Sequence, residues 1–261
     1  HWPALAMTGT RVLRDLMEPK RVAKTFAREL GQPLPRIHGV SHHLCHSACA
    51  YLTSPFEEAA TLTVDGQGED ESATLAEWRG TEYTQHQCVY SPDSIGILYG
   101  MVTDFLGMRA GWDEYKVMGM ASLGDPRRFS KQLDRLVTLR PKGRYRTFRT
   151  AMVFKPGYCD LFLERMIGIP KRNAAAALDQ IHFDLAASLQ AKLEEVIFHL
   201  LKRLREVFSS NNLCLGGGVF LNSVVNGKIK KSGLFDNVYV PPVPGDHGCA
   251  LGAALLTYHK L

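Results

Sequence analysis

Two short apolar strands near the C-terminal end of this sequence are each followed at once by a glycine-bearing turn and the opening of a helix, an order that directs the chain to an α/β fold. The first is Leu213-Cys214-Leu215, then Gly216-Gly217-Gly218, then a helix containing Asn222 and Asn226. The second is Val238 to Val240, then Pro241-Pro242-Val243-Pro244-Gly245, with Asp246-His247-Gly248 opening a small-residue helix to Tyr258. A doubly wound fold presents backbone N–H groups and a helix dipole to phosphate at such turns. The three glycines differ from both GxGxxG and the P-loop, so they mark a place without naming a ligand. Asp246 either caps its helix or stands at a strand end facing the sheet crevice, where α/β folds place ligands.

Upstream, Ala59 to Val64 is a β-branched strand that ends in Asp65-Gly66-Gln67-Gly68-Glu69. Ala73 to Arg79 and Tyr83 to Val89 flank Gly80 and extend it into an antiparallel meander. The turn at Gly66 and Gly68 is either a phosphate cradle or a tight hairpin connection. Helices are expected over Glu18 to Leu30, stopped by Gly31, over Ser94 to Leu106, over Trp112 to Ala121 and over a long stretch from about Asn173 to Val207. A short strand, Arg36 to Val40, follows Pro33 and Pro35. Between Arg127 and Arg149 the chain is basic and partly irregular, either a solvated insertion or an anion or RNA surface. Lys116, on a predicted helix, either neutralises phosphate or is solvated.

The stretch with most chemistry is Ser41-His42-His43-Leu44-Cys45-His46, placed on a helix with Ser41 at the N-cap. His42 and His46 stand four apart, so their rings share one face and are able to close on a single ion. His43 points elsewhere on the helix and is a candidate general base.

Composition narrows the class. In 261 residues, 45% are hydrophobic and 22% charged, the proportions of a soluble globular protein. No apolar run has the length of a membrane span, and the first residues lack the order of a signal peptide, which points to the cytoplasm. Six scattered cysteines without a CxxC pair read as reduced thiols. A net charge of +5 suits anionic small molecules such as nucleotides and is too small to argue for nucleic acid. The abrupt start at His1 points to a fragment or an excised domain.

Six blocks taken in order resemble the NodU/CmcH/TobZ family of O-carbamoyltransferases, specifically its larger domain, which is similar to the tRNA threonylcarbamoyladenosine transferase subunit and to part of HypF. They are His42 to Ala48, Leu62 to Glu69, Tyr115 to Ala121, Asp184 to Gln190, Gly217 to Asn222 and Gly245 to Ala254. The resemblance implies an actin-like ATPase (ASKHA) fold with two α/β lobes around a nucleotide cleft, here divided at residues 1–120 and 121–261, and apparently without the family's first strand. It implies one divalent ion, iron or zinc, on His42, His46 and Asp246, with Asp65 an additional ligand or a phosphate-side partner. By the same resemblance Gly66, Gly68, Gly216, Gly217, Gly218, Asn222 and Asn226 hold ATP or carbamoyladenylate, and a YrdC-like domain in the parent chain makes the adenylate from carbamoyl phosphate. The implied reaction moves the carbamoyl group to a hydroxyl acceptor. Two other classes stay open: a tRNA threonylcarbamoyl transferase, and a noncatalytic nucleotide-binding module of the actin-like class.

Overall fold

The structure is a computed structural model that describes residues 21, 23–32, 38–148 and 158–260. It divides into two compact units, His1–Val40 and Ser41–Leu261. In the first, helix α1 covers residues 23–30 and ends at Gly31, where the sequence predicts its stop; of its expected start, residues 18–20 and 22 lie outside the described residues. Of the strand expected from Arg36 to Val40, residues 36 and 37 lie outside the described residues, and 38–40 form no strand.

The second unit opens with the histidine helix α2 (His42–Leu52) and continues with β1 (Glu58–Val64), β2 (Glu71–Arg79), β3 (Glu82–Tyr90), α3 (Ile95–Phe105), α4 (Glu114–Met120) and α5 (Ser130–Leu136). A hairpin of β4 (Val137–Arg140) and β5 (Arg144–Thr147) follows, then α6 (Tyr158–Ile167) and the long α7 (Gln180–Val207). The chain closes with β6 (Asn212–Gly216), α8 (Ser223–Lys231), β7 (Asn237–Tyr239) and α9 (His247–Lys260).

Five strands form one sheet in the order β3-β2-β1-β6-β7, with β1 antiparallel to β2 and parallel to β6. Strands from both sides of residue 120 thus share a sheet, and the expected boundary at 120 and 121 does not divide it. β1 occupies the centre because its residues from Ala59 to Val64 are buried on both faces. Period-two alternation sends Thr61 and Thr63 toward α2, where they meet Ser47 and His43, while Ala60, Leu62 and Val64 enter the main core. Leu185, Leu189, Leu193, Val196, Leu200 and Leu204 of α7 join that core along one helical stripe.

Two helix starts differ from the sequence reading for physical reasons. The long helix starts at Gln180, not Asn173, because Asp179 is extended (φ −109°, ψ 167°) and its N–H donates to His182 Nδ1 at 2.9 Å. Upstream, the Arg172 guanidinium occupies the carbonyls of Ala174 and Ala176 that a helix would need. Asn222 precedes its helix and caps it, accepting from the Val225 N–H at 3.1 Å. The basic segment is more ordered than expected, forming α5 and the β4–β5 hairpin, with Arg149 outside the described residues. Among the described residues no helix is long and apolar enough to cross a membrane.

Candidate metal centre

α2 is pinned to the sheet by its second histidine. His43 is fully buried, and burial lowers its pKa to about 4, so the ring is neutral. Its Nε2 lies 3.0 Å from the Glu71 carbonyl, which can only accept, so Nε2 carries the proton. Nδ1 then accepts from the Thr63 hydroxyl at 2.7 Å, and Thr63 in turn accepts from Thr74 at 2.5 Å. Both ring nitrogens are spent inside the protein, which does not bring His43 to a substrate as a base.

With His43 locked inward, His42 and His46 face the C-terminal end of β1. Their Nε2 atoms are 2.9 Å apart. Asp65, directly after β1, sets Oδ2 2.8 Å from His46 Nε2 and 3.6 Å from His42 Nε2. Asp246, directly before α9, sets Oδ1 3.5 Å from both. Burial by itself would raise the Asp65 carboxyl, but hydrogen bonds from His42, His46 and the Gly218 N–H outweigh it and hold it well below the usual carboxylate range. The hydrogen bond to Asp65 raises His42, against the opposing effect of burial.

This geometry suits a cation. His42 and His46 turn Nε2 toward the same two carboxylates and sit 2.9 Å apart, so N–H groups given to the carboxylates by both rings would point at one another, a repulsion that a shared cation in place of the protons removes. Metal–ligand bonds of about 2.0–2.2 Å place neighbouring donors roughly 3.0–3.5 Å apart in tetrahedral or octahedral shells, close to the spacings seen here. A mixed imidazole and carboxylate set fits a borderline divalent ion and leaves positions for substrate oxygens.

Cys249, which the sequence reading passed over, brings its sulfur into the same cluster, with all four donors of His42, His46, Asp246 and Cys249 inside 4.8 Å. The sulfur is 3.6 Å from both Nδ1 and Nε2 of His46. Equal distances put it over the ring face, off the in-plane lone pair that a metal takes, so the thiol packs on the imidazole. Burial pushes its pKa up to about 12. The available signal was its place three residues after Asp246, one turn along α9.

The glycines serve close approach. Gly217 has φ +98°, and a Cβ there would run into the Val64 carbonyl. Its N–H donates to Pro244 O at 2.7 Å, and the Gly218 N–H donates to Asp65 Oδ2 at 2.9 Å. Gly216 ends β6 opposite Thr63, Gly66 donates its N–H to Asp65 Oδ1, and Gly68 donates to Glu71 O at 2.8 Å. Except in Gly216, a strand residue, these N–H groups are all engaged within the turns. Asn222 pairs with Gln190 at 2.8 Å and Asn226 donates to Phe220 O at 2.7 Å. Lys116 is exposed and paired with Asp113 at 2.8 Å, away from the cluster. In the basic segment, Arg127 pairs with Asp125 and Arg128 with Asp184, while Lys131, Arg135, Arg140, Lys142, Arg144 and Arg146 stand exposed.

A cavity of about 970 Å³ opens beside the cluster, with Asp65, Gly218 and Asp246 in its wall. α3 runs along it: a Cβ at Gly96 would touch the Asp65 backbone, Gly100 lies near the Glu114 carboxylate, and Asp104 pairs with Lys171. From Gly96 to Asp104 the helix rises about 12 Å. That separates the donor end from a second end formed by Asp104, Trp112, Glu114, Tyr115, Asp160 and Lys171, residues the sequence reading did not assign to the site.

A family described as Carbamoyltransferase N-terminus matches residues 10–255. An uncharacterised protein of Synechocystis sp. is 36% identical over 259 residues, covering 95% of this chain and 41% of its own length. Nodulation protein NolNO of Sinorhizobium fredii is 38% identical over 239 residues, covering 90% of this chain and 34% of its own length. The chain therefore spans well under half the length of these relatives. The crystal structure of full-length HypF in its phosphate- and nucleotide-bound form aligns with a TM-score of 0.48 at 17% identity, covering 91% of this chain and 37% of HypF. The matched family span takes in every donor of the cluster, and this chain belongs to the carbamoyltransferase N-terminus family.

Proposed function

We propose that this chain is the carbamoyl-transferring part of an O-carbamoyltransferase, moving a carbamoyl group from carbamoyladenylate to an acceptor hydroxyl with release of AMP. The observation that carries the reading is the convergence of His42, His46, Asp65 and Asp246 on one point in the wall of a ligand-sized cavity, within a chain of this family. His42, His46, Asp65 and Asp246 hold one divalent ion, iron or zinc. When bound, the ion supplies a Lewis acid for the carbamoyl or phosphate oxygen. Asp65 meets the ion as a carboxylate whose oxygens also accept from the Gly66 and Gly218 N–H groups, and Asp246, 73% exposed in its side chain, leaves room for substrate beside it. Ile97, Met118 and Leu193 give the cavity an apolar wall against which the adenylate base packs.

The finer architecture belongs to the same proposal. The five-stranded sheet is one lobe of an actin-like fold, and the adenylate lies against it, with the YrdC-like activity that makes the adenylate supplied from elsewhere in a longer parent.

The test is AMP release from carbamoyl phosphate, ATP and a panel of hydroxyl acceptors by a protein of the relatives' length that carries this chain. Transfer that needs all three reactants and disappears in His46→Ala supports the reading. Transfer that survives in His46→Ala and in Asp65→Asn would remove the cluster from the chemistry.

A further inference from the structure

The first turn of a helix leaves its N–H groups without helical partners. At α2, Ser41 has the extended conformation of a cap (φ −65°, ψ 146°), but its side chain makes no cap bond. The partner comes from 27 residues away: the His42 N–H donates to both carboxylate oxygens of Glu69, at 3.1 and 3.2 Å. No acidic residue stands in that turn, so Glu69 brings the negative charge that the positive end of a helix favours.

Glu69 arrives there because the segment Asp65-Gly66-Gln67-Gly68-Glu69 is folded tightly on the histidines. A Cβ at Gly68 would lie 2.9 Å from His43 Cδ2 and 3.1 Å from His42 Cβ, so glycine alone fits without displacing a ring. The Gln67 side-chain amide donates to the Glu69 carbonyl at 3.2 Å and braces the turn.

We propose that Glu69 is a positioning residue for the donor cluster. The segment gives the Asp65 carboxylate to the shared point at one end and, at the other, holds the helix that carries both imidazoles. His42 depends on this hold more than His46, since its side chain is 23% exposed and that of His46 is 0% exposed. The inference rests on the metal reading above and adds to it a residue that touches neither ion nor substrate.

The experiment titrates the chain with cobalt(II), read by its d–d absorption, in wild type, Glu69→Ala and Glu69→Gln, with Ile229→Val on α8 as a core truncation away from the site. Glu69→Ala is expected to weaken cobalt about 10-fold to 100-fold, the range for partners that orient ligands. Glu69→Gln keeps an oxygen for the His42 N–H and recovers most of that affinity, and Ile229→Val keeps wild-type affinity. Equal affinity in wild type and Glu69→Ala overturns the proposal, as does equal weakening by Ile229→Val, which would reduce the effect to general stability. If wild type takes up no cobalt, the metal reading fails by itself and hydrogen exchange of the His42 amide judges the anchor. Faster exchange there in Glu69→Ala, with α9 unchanged, supports the hold, and unchanged exchange overturns it.

Discussion

The two ends of the cavity are built from different material. At the donor end, His42, His46 and Asp65 have side chains 23%, 0% and 14% exposed, each from a regular element or the residue directly after one, and of the four donors Asp246 alone, just before α9, stands out at 73%. At the other end, Trp112 and Tyr115 are 66% and 62% exposed, and Lys171 is tied to Asp104 and Asp160 across three separate segments. An end that stabilises developing charge must have its groups in place beforehand, because reorganising them during reaction costs what they would contribute. An end made of exposed aromatics and mutually paired ions is less constrained and should tolerate substitution.

The largest expected difference between the ends is in metal content. His46→Ala and Asp65→Asn each lower bound zinc or iron to background in elemental analysis, while Trp112→Ala leaves it at the wild-type level. Equal content in all three would erase the contrast. Next comes backbone tolerance. Gly217→Ala forces a Cβ into the Val64 carbonyl at φ +98° and should cost about 3 kcal/mol in urea unfolding. Gly111→Ala, at φ +79° with open space around it, should cost about 1 kcal/mol.

The element joining the ends, α3, carries a pH dependence. Its first N–H, on Ile95, donates to the Tyr145 hydroxyl at 3.3 Å, and burial pushes Tyr145 up to about 12. Above pH 10 the unfolded chain releases this proton while the folded chain keeps it until about 12. Stability from this group is therefore full below pH 10 and falls by about 1.4 kcal/mol per pH unit between those values. Tyr145→Phe should make the fall of denaturant midpoints from pH 9 to 12 shallower, leaving the part due to Tyr83 and Tyr99, which burial also raises. The smallest effect is at Lys171→Met, expected to lower stability by about 1 kcal/mol because its ion pairs are half-buried and partly screened by solvent. A loss several times larger would show the second end to be as rigid as the first.

What the sequence determined by itself was local. The strand from Ala59 to Val64, the four-residue spacing of His42 and His46 and the glycine turns after β6 and β7 are encoded in short periodicities, and the structure forms each of them. The start of α7 was misread because the carbonyls taken by Arg172 and the cap at Asp179 leave no mark in apolar spacing. The resemblance named Asp65 and Asp246 as partners of the histidines, and the fold brings their carboxylates to within 2.8–3.6 Å of the ring nitrogens. That meeting joins a residue after β1 to one before α9, across 181 positions of sequence, and only the parallel pairing of β1 with β6 and the packing of α9 on α2 close the gap. The same distance in sequence hid Cys249 on the His46 ring. Tertiary structure also turned His43 inward, since a helix periodicity says which residues share a face but not which face the sheet will cover.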